Sequence, residues 1–536
     1  MVKFSIINLV FFLYRNIFPL FSLVIIVITL IAPLLTILLF YDFGSILSSF
    51  QPYYLNVIKF SILQAVISSV ISMCLGILFA HLLFKHKYIY GINSLVNLLS
   101  FTFILPTIVI VLGIISIYGN SGYLSDIIDF FNLSVYGILG ILIAHVLLNF
   151  PFVTRIIFQS LQDISHDEWS LAEHNGLRGF SLFKTIEWPA IRKTLPTVLT
   201  MVFILCFMSF APVIIFGGGP NYSTLEISIY QALLFEYDFT KAINLAFIQI
   251  IICLIFLLIF LFQNKISFFI LSENRTSNLK KYSFNYLPDY LLLLLLILFT
   301  FSPLVAIILD GIYSSKLLKI ALSKSFLNAL TYTFIISVAS GLLSIILTLG
   351  LLTFGKNIFI KKSLDRFVLF ETYIYLLLVF SPVLISSGFF ILFRQYLGIL
   401  DPGIWIVILI NAVFTIPLSY SLIKTSFYKI FFEQDFLSQS LGLKGLRRFI
   451  LIEWPVIKTP VITAFVVTSI ISTSDLVIIS FFGTNNFSTL SLFMFRLMGS
   501  YQIEEAQALA LLFLIYCFIY FVISYKLLTK LNMRIN

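Results

Sequence analysis

"DEWSLAEHNGLRGFSLFKTIEWPAIRKTLP" at residues 167–196 recurs in register as "EQDFLSQSLGLKGLRRFILIEWPVIKTPVI" at residues 433–462. Three landmarks lie 266 residues apart in the two copies (442 − 176, 452 − 186, 455 − 189): Gly176 and Gly442, Ile186 and Ile452, and Pro189 and Pro455. This offset is close to half of the 536-residue chain. A polar block repeated inside an otherwise apolar chain predicts two equivalent surfaces that a molecule outside the chain contacts.

Composition places the chain in a membrane. Hydrophobic residues make up 60% of it and charged residues only 10%, and its mean hydropathy is +1.09. No water-soluble domain covers its surface with so few polar groups. A helix of about 20 apolar residues crosses the hydrocarbon core with its backbone groups satisfied. We therefore predict an all-α polytopic protein with about twelve spanning helices, at residues 18–41, 58–84, 93–118, 134–158, 196–219, 241–264, 287–310, 327–354, 367–393, 403–427, 459–483 and 505–528.

The basic residues predict the orientation. With a cytoplasmic N-terminus, 26 of the 33 lysines and arginines lie on the cytoplasmic side and seven (33 − 26) lie outside. Cytoplasmic loops carry the excess of basic residues in membrane proteins. Both repeat blocks and both termini are therefore predicted in the cytoplasm, although Lys316, Lys319 and Lys324 fall outside. Anionic membrane lipid accounts for the net charge of +10, so no nucleic-acid partner is predicted.

The sequence also predicts two parallel halves. A polar stretch at 265–286, predicted to be a cytoplasmic linker, separates a first half, 1–264, from a second half, 287–536. Further landmarks at the same offset are Pro151 with Pro417, and "FGGGPNYSTL" from Phe216 with "FGTNNFSTL" from Phe482. Each half has an even number of predicted spans, so both halves enter and leave on the same side. We expect a pseudo-twofold axis along the membrane normal, with substrate passing between the halves.

Each repeat block predicts a turn between two helical segments. A short helix carrying Ala172 or Ser438 should end at a glycine that takes a left-handed conformation, Gly176 or Gly442. The proline of each block then falls in the first turn of the next helix, where proline is favoured. An ordinary amphipathic interfacial loop is the alternative, and repetition in register argues against it.

The spacing Gly, nine residues, Ile, two residues, Pro resembles the coupling loop of permease subunits in bacterial binding-protein-dependent ABC importers. The resemblance assigns ATPase coupling to Ser170, Ala172, Gly176, Ile186 and Pro189 in the first block and to Ser438, Gly442, Ile452 and Pro455 in the second. Both blocks depart from the Glu-Ala-Ala opening of the family, and each has Trp before its proline. The family implies a type I ABC importer fold in the bacterial inner membrane. It also implies two copies of a cytoplasmic ATPase subunit and a periplasmic substrate-binding protein as partners, with no enzyme activity in the permease itself.

Fusion of two halves in one chain narrows the resemblance to permeases that import thiamine and thiamine pyrophosphate in Gram-negative bacteria. The stretches that carry it are "LPTIVIVLGIISIYGNSGYL" from Leu105, "AHVLLNFP" from Ala144 and "GGGPNYSTLEISIYQALLFEYDFTKAINLAFIQ" from Gly217. Thiamine, with its phosphates, is therefore the expected substrate. Fused permeases for ferric iron share the architecture, and polyamine is a further alternative.

Polar residues inside the predicted spans are candidates for the translocation path, because hydrocarbon penalises them unless they find partners or water. The candidates are Asp475, His145, Asn149 and Gln249. Helix-to-helix hydrogen bonding is the alternative for all four. The functional hypothesis is that Asp475 faces the central path and helps a cation such as the thiazolium of thiamine to pass.

Other classes of protein leave different patterns. A secondary transporter usually carries several intramembrane charges, and few are present here besides Asp475. The four cysteines and five histidines show no metal-ligand spacing, and no nucleophile, base and orienting residue occur together. We therefore predict no metal, no cofactor and no catalytic site.

Overall fold

A computed structural model describes most of the chain. The described residues are 18–39, 52–87, 89, 91–102, 105–130, 134–217, 219, 222–263, 287–360, 364–377, 380–399, 403–440, 442–443, 448–484 and 487–532. Within them the structure consists of α-helices and three π-helical turns joined by short connections, without a β-strand. The predicted linker at 265–286 lies outside the described residues.

The helices follow the predicted order of spans. Those of the first half are α1 (Phe18–Leu39), α2 (Pro52–Lys85), α3 (Ile92–Thr102), α4 (Thr107–Tyr118), α5 (Ser125–Phe130), α6 (Ile138–Gln162), α7 (His166–His174), α8 (Gly179–Leu182), α9 (Trp188–Phe207), α10 (Ala211–Phe216), α11 (Leu225–Leu234) and α12 (Phe239–Gln263). Those of the second half are α13 (Leu287–Tyr313), α14 (Leu317–Ala321), α15 (Lys324–Ile360), α16 (Leu364–Leu376), α17 (Pro382–Ile391), α18 (Ile404–Ser440), α19 (Trp454–Thr473), α20 (Val477–Phe482), α21 (Leu490–Gly499) and α22 (Ile503–Asn532). The π-helical turns are Phe183–Glu187, Leu392–Tyr396 and Phe449–Glu453.

Ten helices of the described part are long and apolar enough to cross a membrane. They account for ten of the twelve predicted spans. The third and ninth predicted spans are each divided, into α3 with α4 and into α16 with α17. Proline explains both divisions, since Pro106 directly precedes α4 and Pro382 is the first residue of α17. A proline lacks the N–H that a continuing helix needs and favours a helix start.

The fifth and eleventh predicted spans are interrupted at the same point. In the first half α9 ends at Phe207 and α10 begins at Ala211; in the second half α19 ends at Thr473 and α20 begins at Val477. These positions correspond at the offset of 266 (473 − 207, 477 − 211). The repeat noted in the polar blocks therefore extends into the apolar helices.

Compact packing units do not follow the linear halves. Unit N comprises Leu47–Ser228 and Ile251–Leu317, and unit C comprises Met1–Ile46, Ile229–Ile250 and Leu318–Asn536. The first helix of each half thus packs in the unit formed mainly by the other half. The division into 1–264 and 287–536 remains a prediction about the sequence repeat.

We call α1 and α13 the exchanged helices, because each packs in the unit formed mainly by the other half. A glycine on a neighbouring helix lets each of them approach that neighbour closely. In unit N, a Cβ atom built on Gly113 of α4 would lie 2.5 Å from the carbonyl oxygen of Pro303 on α13. In unit C, a Cβ atom built on Gly388 of α17 would lie 2.5 Å from the carbonyl oxygen of Pro33 on α1. Small residues at helix contacts in membranes let backbones come together in this way.

The N-termini of α11 and α21 are held in matching fashion. The Leu225 N–H donates to Ser61 Oγ of α2, and the Leu490 N–H donates to Thr333 Oγ1 of α15, each at 2.9 Å. All four residues are buried. Each hydroxyl satisfies a backbone donor that the first turn of a helix leaves without an intrahelical partner.

Candidate functional site

The first repeat block folds as a separate short helix, α7. Its start is fixed by a capping box, in which the Glu168 N–H donates to Ser165 Oγ (3.3 Å) and the Ser165 N–H donates to Glu168 Oε2 (3.2 Å). The helix is followed by Gly176 at φ +65°. The Leu177 N–H returns to the Ala172 carbonyl at 3.0 Å and closes the turn. The predicted left-handed glycine turn is present.

One face of α7 docks on α2 and the other is exposed. The Trp169 ring stacks on Phe84 with centroids 5.8 Å apart, and Ala172 is buried beside it. Ser170 is half-buried. Leu171 keeps 61% of its surface exposed, which is high for a leucine. Ala172 therefore serves packing, while Leu171 is presented outward.

The second repeat block differs from the prediction of a separate short helix. Here α18 runs without interruption from Ile404 to Ser440, so Ser438 belongs to a 37-residue helix. The sequence explains the difference, because Phe431 stands where the first block has the capping Ser165 (431 − 165 = 266). Gly442 nevertheless has φ +64°, so the predicted glycine turn is present here too. The Ser438 side chain lies outside the described part, as do Lys444 and Arg447.

After the turn, both blocks enter the membrane helix in the same way. A π-helical turn, Phe183–Glu187 or Phe449–Glu453, leads directly into α9 or α19. Pro189 and Pro455 are the second residues of these helices, as predicted. Ile186 and Ile452 are both half-buried. The π-helical turns were not predicted, because no residue pattern distinguishes them from the surrounding helix.

His145 and Asn149 lie one turn apart on α6 and form part of one buried cluster. His145 Nδ1 lies 3.1 Å from Ser68 Oγ of α2. The Asn149 Nδ2 group donates to the His145 carbonyl (2.8 Å) and to Cys206 Sγ of α9 (3.4 Å). These bonds join α6 to α2 and α9, as the helix-to-helix alternative describes.

Asp475 lies at the break between α19 and α20 and is partly exposed. Its Oδ1 accepts a hydrogen bond from the Ile478 N–H at 3.2 Å, and its Oδ2 accepts one from Asn411 Nδ2 at 3.3 Å. The carboxylate therefore caps the first turn of α20 and binds α18. Asn411 was not among the predicted site residues, although it is the counterpart of His145 (411 − 145 = 266).

Gln249 is buried in α12. The structure brings His145 and Asn149 together in unit N, and it places Gln249 and Asp475 within unit C. Among the described residues no group of three or more His, Cys, Asp or Glu side chains is arranged to hold a metal ion. A role of these four residues in the translocation path stays a prediction.

Comparison with known proteins identifies relatives that match nearly nine-tenths of the chain. The family model of binding-protein-dependent transport system inner membrane components matches residues 72–266. The chain is 32% identical over 486 residues to a thiamine transport system permease protein of Salmonella typhimurium, with 89% of each chain covered. It is 32% identical over 482 residues to that of Escherichia coli, with 89% of each covered, and 33% identical over 483 residues to that of Haemophilus influenzae, with 88% of each covered.

These relatives extend the match over both halves of the chain, and the ten long apolar helices fit a multi-pass protein of the inner membrane. The chain therefore belongs to the family of binding-protein-dependent transport system inner membrane components.

Proposed function

We propose that this chain translocates thiamine and its phosphates across the bacterial inner membrane as the permease subunit of an ATP-driven importer. The observation that carries the proposal is the similarity to thiamine transport system permease proteins over nearly nine-tenths of the chain. The structure adds two glycine turns at matching positions, each leading through a π-helical turn into a membrane helix.

The partners follow from the two blocks and from the family. A periplasmic binding protein delivers the substrate, and two copies of a cytoplasmic ATPase subunit each contact one block. ATP is hydrolysed on those subunits and not on this chain. Both termini lie in the cytoplasm, as the distribution of basic residues favours. In the first block Arg178, Lys184, Arg192 and Lys193 are exposed on the surface that would meet an ATPase or anionic lipid.

The two glycine turns provide a test of coupling. Gly176→Val and Gly442→Val put a β-branched side chain at φ +65° and +64°, a conformation that such residues rarely adopt. We expect the double variant to lose ATP-driven uptake while the chain remains in the membrane. Gly499→Val is the control, because a Cβ at Gly499 meets no atom within 4 Å and its φ is not in the left-handed range. Persistent uptake in the double variant would remove these turns from the coupling mechanism.

Substrate identity is tested by uptake of labelled thiamine in importer-deficient cells that express this chain with its ATPase and binding protein. Ferric iron and a polyamine are measured in parallel. We expect saturable thiamine uptake that requires ATP and survives collapse of the proton and sodium gradients. Uptake of iron or polyamine in place of thiamine would overturn the substrate, and uptake driven by a gradient would overturn the ABC mechanism.

A further inference from the structure

Each repeat block contains a buried glutamate at the end of its π-helical turn. Glu187 and Glu453 occupy matching positions (453 − 187 = 266), and each has only 5% of its surface exposed. Burying a carboxylate is costly unless a partner compensates the charge. Short π-helical segments inside α-helices often occur at functional sites. A buried charge in each of two such segments therefore calls for a reason.

In unit N the glutamate contacts the long helix α2. Glu187 Oε2 lies 2.7 Å from His81 Nδ1, and this contact is an ion pair when the imidazole is protonated. The His81 ring also packs edge-on against Phe183, the first residue of the π-helical turn, with centroids 5.5 Å apart. Both ends of the turn are thus held by one side chain of α2.

In unit C the same position contacts the equivalent helix α15 with different chemistry. Glu453 Oε1 accepts hydrogen bonds from Lys356 Nζ of α15 at 2.8 Å and from Arg448 Nε at 3.2 Å. Arg448 directly precedes the π-helical turn. The glutamate is constant in the two blocks, whereas its partner changes from His81 to Lys356 and Arg448.

The position of these pairs suggests what they do. In each block the glycine turn precedes the π-helical turn along the chain, and the membrane helix α9 or α19 follows it. In the first block the exposed residue Leu171 also precedes the π-helical turn. Without a fixed contact, the π-helical turn would change its conformation when the block moves, and the membrane helix that follows would stay in place. The contact of the glutamate with α2 or α15 prevents this, because these helices extend over 34 and 37 residues.

We propose that Glu187 and Glu453 are positioning residues that lock each repeat block to α2 and α15, so that movement of a block is transmitted to two membrane helices together. The proposal deepens the proposed function and rests on it for the identity of the protein that moves the block. It adds a mechanical contact inside the permease to the contact with the ATPase.

The test compares uptake and ATP hydrolysis in the complete importer, reconstituted in liposomes with its ATPase and binding protein. Glutamine removes the charge but keeps the side-chain shape. We expect Glu187→Gln with Glu453→Gln to lower thiamine transported per ATP hydrolysed by about 2- to 30-fold, as for other changes in coupling contacts. Each single variant should show a smaller loss. A merely structural role would lower the yield of assembled complex and leave this ratio unchanged, which would overturn the proposal.

Two further variants test the chemistry. His81→Lys gives the first block the type of partner found in the second and should keep the ratio of the parent. Glu236→Gln is the matched control, because it removes an exposed carboxylate from its ion pair with Lys241, far along the chain from either block. A lower amount of thiamine transported per ATP hydrolysed in both His81→Lys and Glu236→Gln would also overturn the assignment.

A second readout separates this proposal from the proposed function. Hydrogen exchange of the purified chain should become faster in Phe183–Glu187 and Phe449–Glu453 when both glutamates are replaced, whatever the substrate is. If the parent chain transports no thiamine but hydrogen exchange changes as expected, the proposed substrate is wrong and the positioning role of Glu187 and Glu453 is supported. Unchanged exchange in both segments would contradict the lock directly.

Discussion

The breaks between α9 and α10 and between α19 and α20 have the same backbone and different chemistry. In the first, the Ile214 N–H donates to the Phe210 carbonyl; in the second, the Ser480 N–H donates to the Leu476 carbonyl, at the same offset of 266 (480 − 214). Pro212 is the second residue of α10, whereas its counterpart in α20 is Ile478. The Ile478 N–H donates to Asp475, whose counterpart in the first break is Ser209.

The two halves thus solve one problem in two ways. A helix that starts inside a membrane leaves backbone donors without an intrahelical partner, and hydrocarbon supplies none. Proline in the first break removes one such donor altogether. In the second break the donor at the corresponding position, the Ile478 N–H, is kept, and Asp475 accepts a hydrogen bond from it. The Asp475 carboxylate therefore has a structural role as a cap, and its predicted role in the translocation path must be tested separately from that structural role.

The largest effect should come from the glycines that admit the exchanged helices, where the two halves match most closely. Gly113→Ala and Gly388→Ala each place a Cβ 2.5 Å from a backbone carbonyl oxygen, so α13 or α1 must move. We expect each change to lower the free energy of unfolding by as much as about 3 kcal/mol, the upper end for overpacking. Thermal unfolding of the purified protein in detergent measures this as a lower midpoint.

Gly499→Ala is the control for both changes, since a Cβ there meets no atom within 4 Å. Similar losses at Gly113 and Gly388, with none at Gly499, would establish that the two exchanged helices are packed equivalently. A large loss at only one of the two glycines would break the comparison between the halves.

A smaller effect is expected from Asp475→Ala. The change leaves the Ile478 N–H and the Asn411 amide without the acceptor that they use, at a cost of about 1–3 kcal/mol for an unsatisfied buried donor. The unfolding midpoint should fall. Asp475→Asn should preserve most of the stability, because asparagine caps helices about as well as aspartate. Equal destabilisation by alanine and asparagine would mean that the negative charge, and not the cap, stabilises the break.

Much of this arrangement follows from local sequence. The turns at Gly176 and Gly442 and the helix starts at Pro189 and Pro455 were predictable because glycine and proline restrict the backbone whatever surrounds them. The divided third span was open to the same reasoning through Pro106. Periodicity alone did not reveal it, since α3 and α4 are both apolar.

Other features depend on contacts between distant residues and could not be predicted in this way. Glu453 accepts a hydrogen bond from Lys356, 97 positions away, and Asp475 accepts one from Asn411, 64 positions away. The exchange of α1 and α13 between packing units leaves no mark on either helix, because any apolar neighbour satisfies an apolar surface. The uninterrupted α18, in contrast, was predictable from local sequence, because Phe431 occupies the position of the capping Ser165.

The difference between the two blocks predicts an effect limited to the first. Ser165→Ala removes the capping box of α7, which should cost about 1 kcal/mol. Because α7 is a separate helix of nine residues, the loss should stay local and appear as faster hydrogen exchange in His166–His174. Ser69→Ala is the control, since that hydroxyl donates to the Val66 carbonyl within α2. Faster exchange throughout α6 and α9 would show that the cap supports more than its own helix.

The smallest change in stability is expected when the second break is given the chemistry of the first. Asp475→Ser with Ile478→Pro removes the carboxylate and the Ile478 N–H that it satisfies, and the serine hydroxyl is left to accept from the Asn411 amide. Proline is tolerated in the first turn of a helix. The double variant should unfold within about 1 kcal/mol of the parent, unlike Asp475→Ala.

Stability is then no longer a confounding variable, and uptake reports on the charge alone. We expect thiamine uptake to fall while assembly and ATP hydrolysis persist, because a cation passing this point would lose its only nearby carboxylate partner among the candidate path residues. Unchanged uptake in this variant would assign Asp475 to capping and remove it from the translocation path.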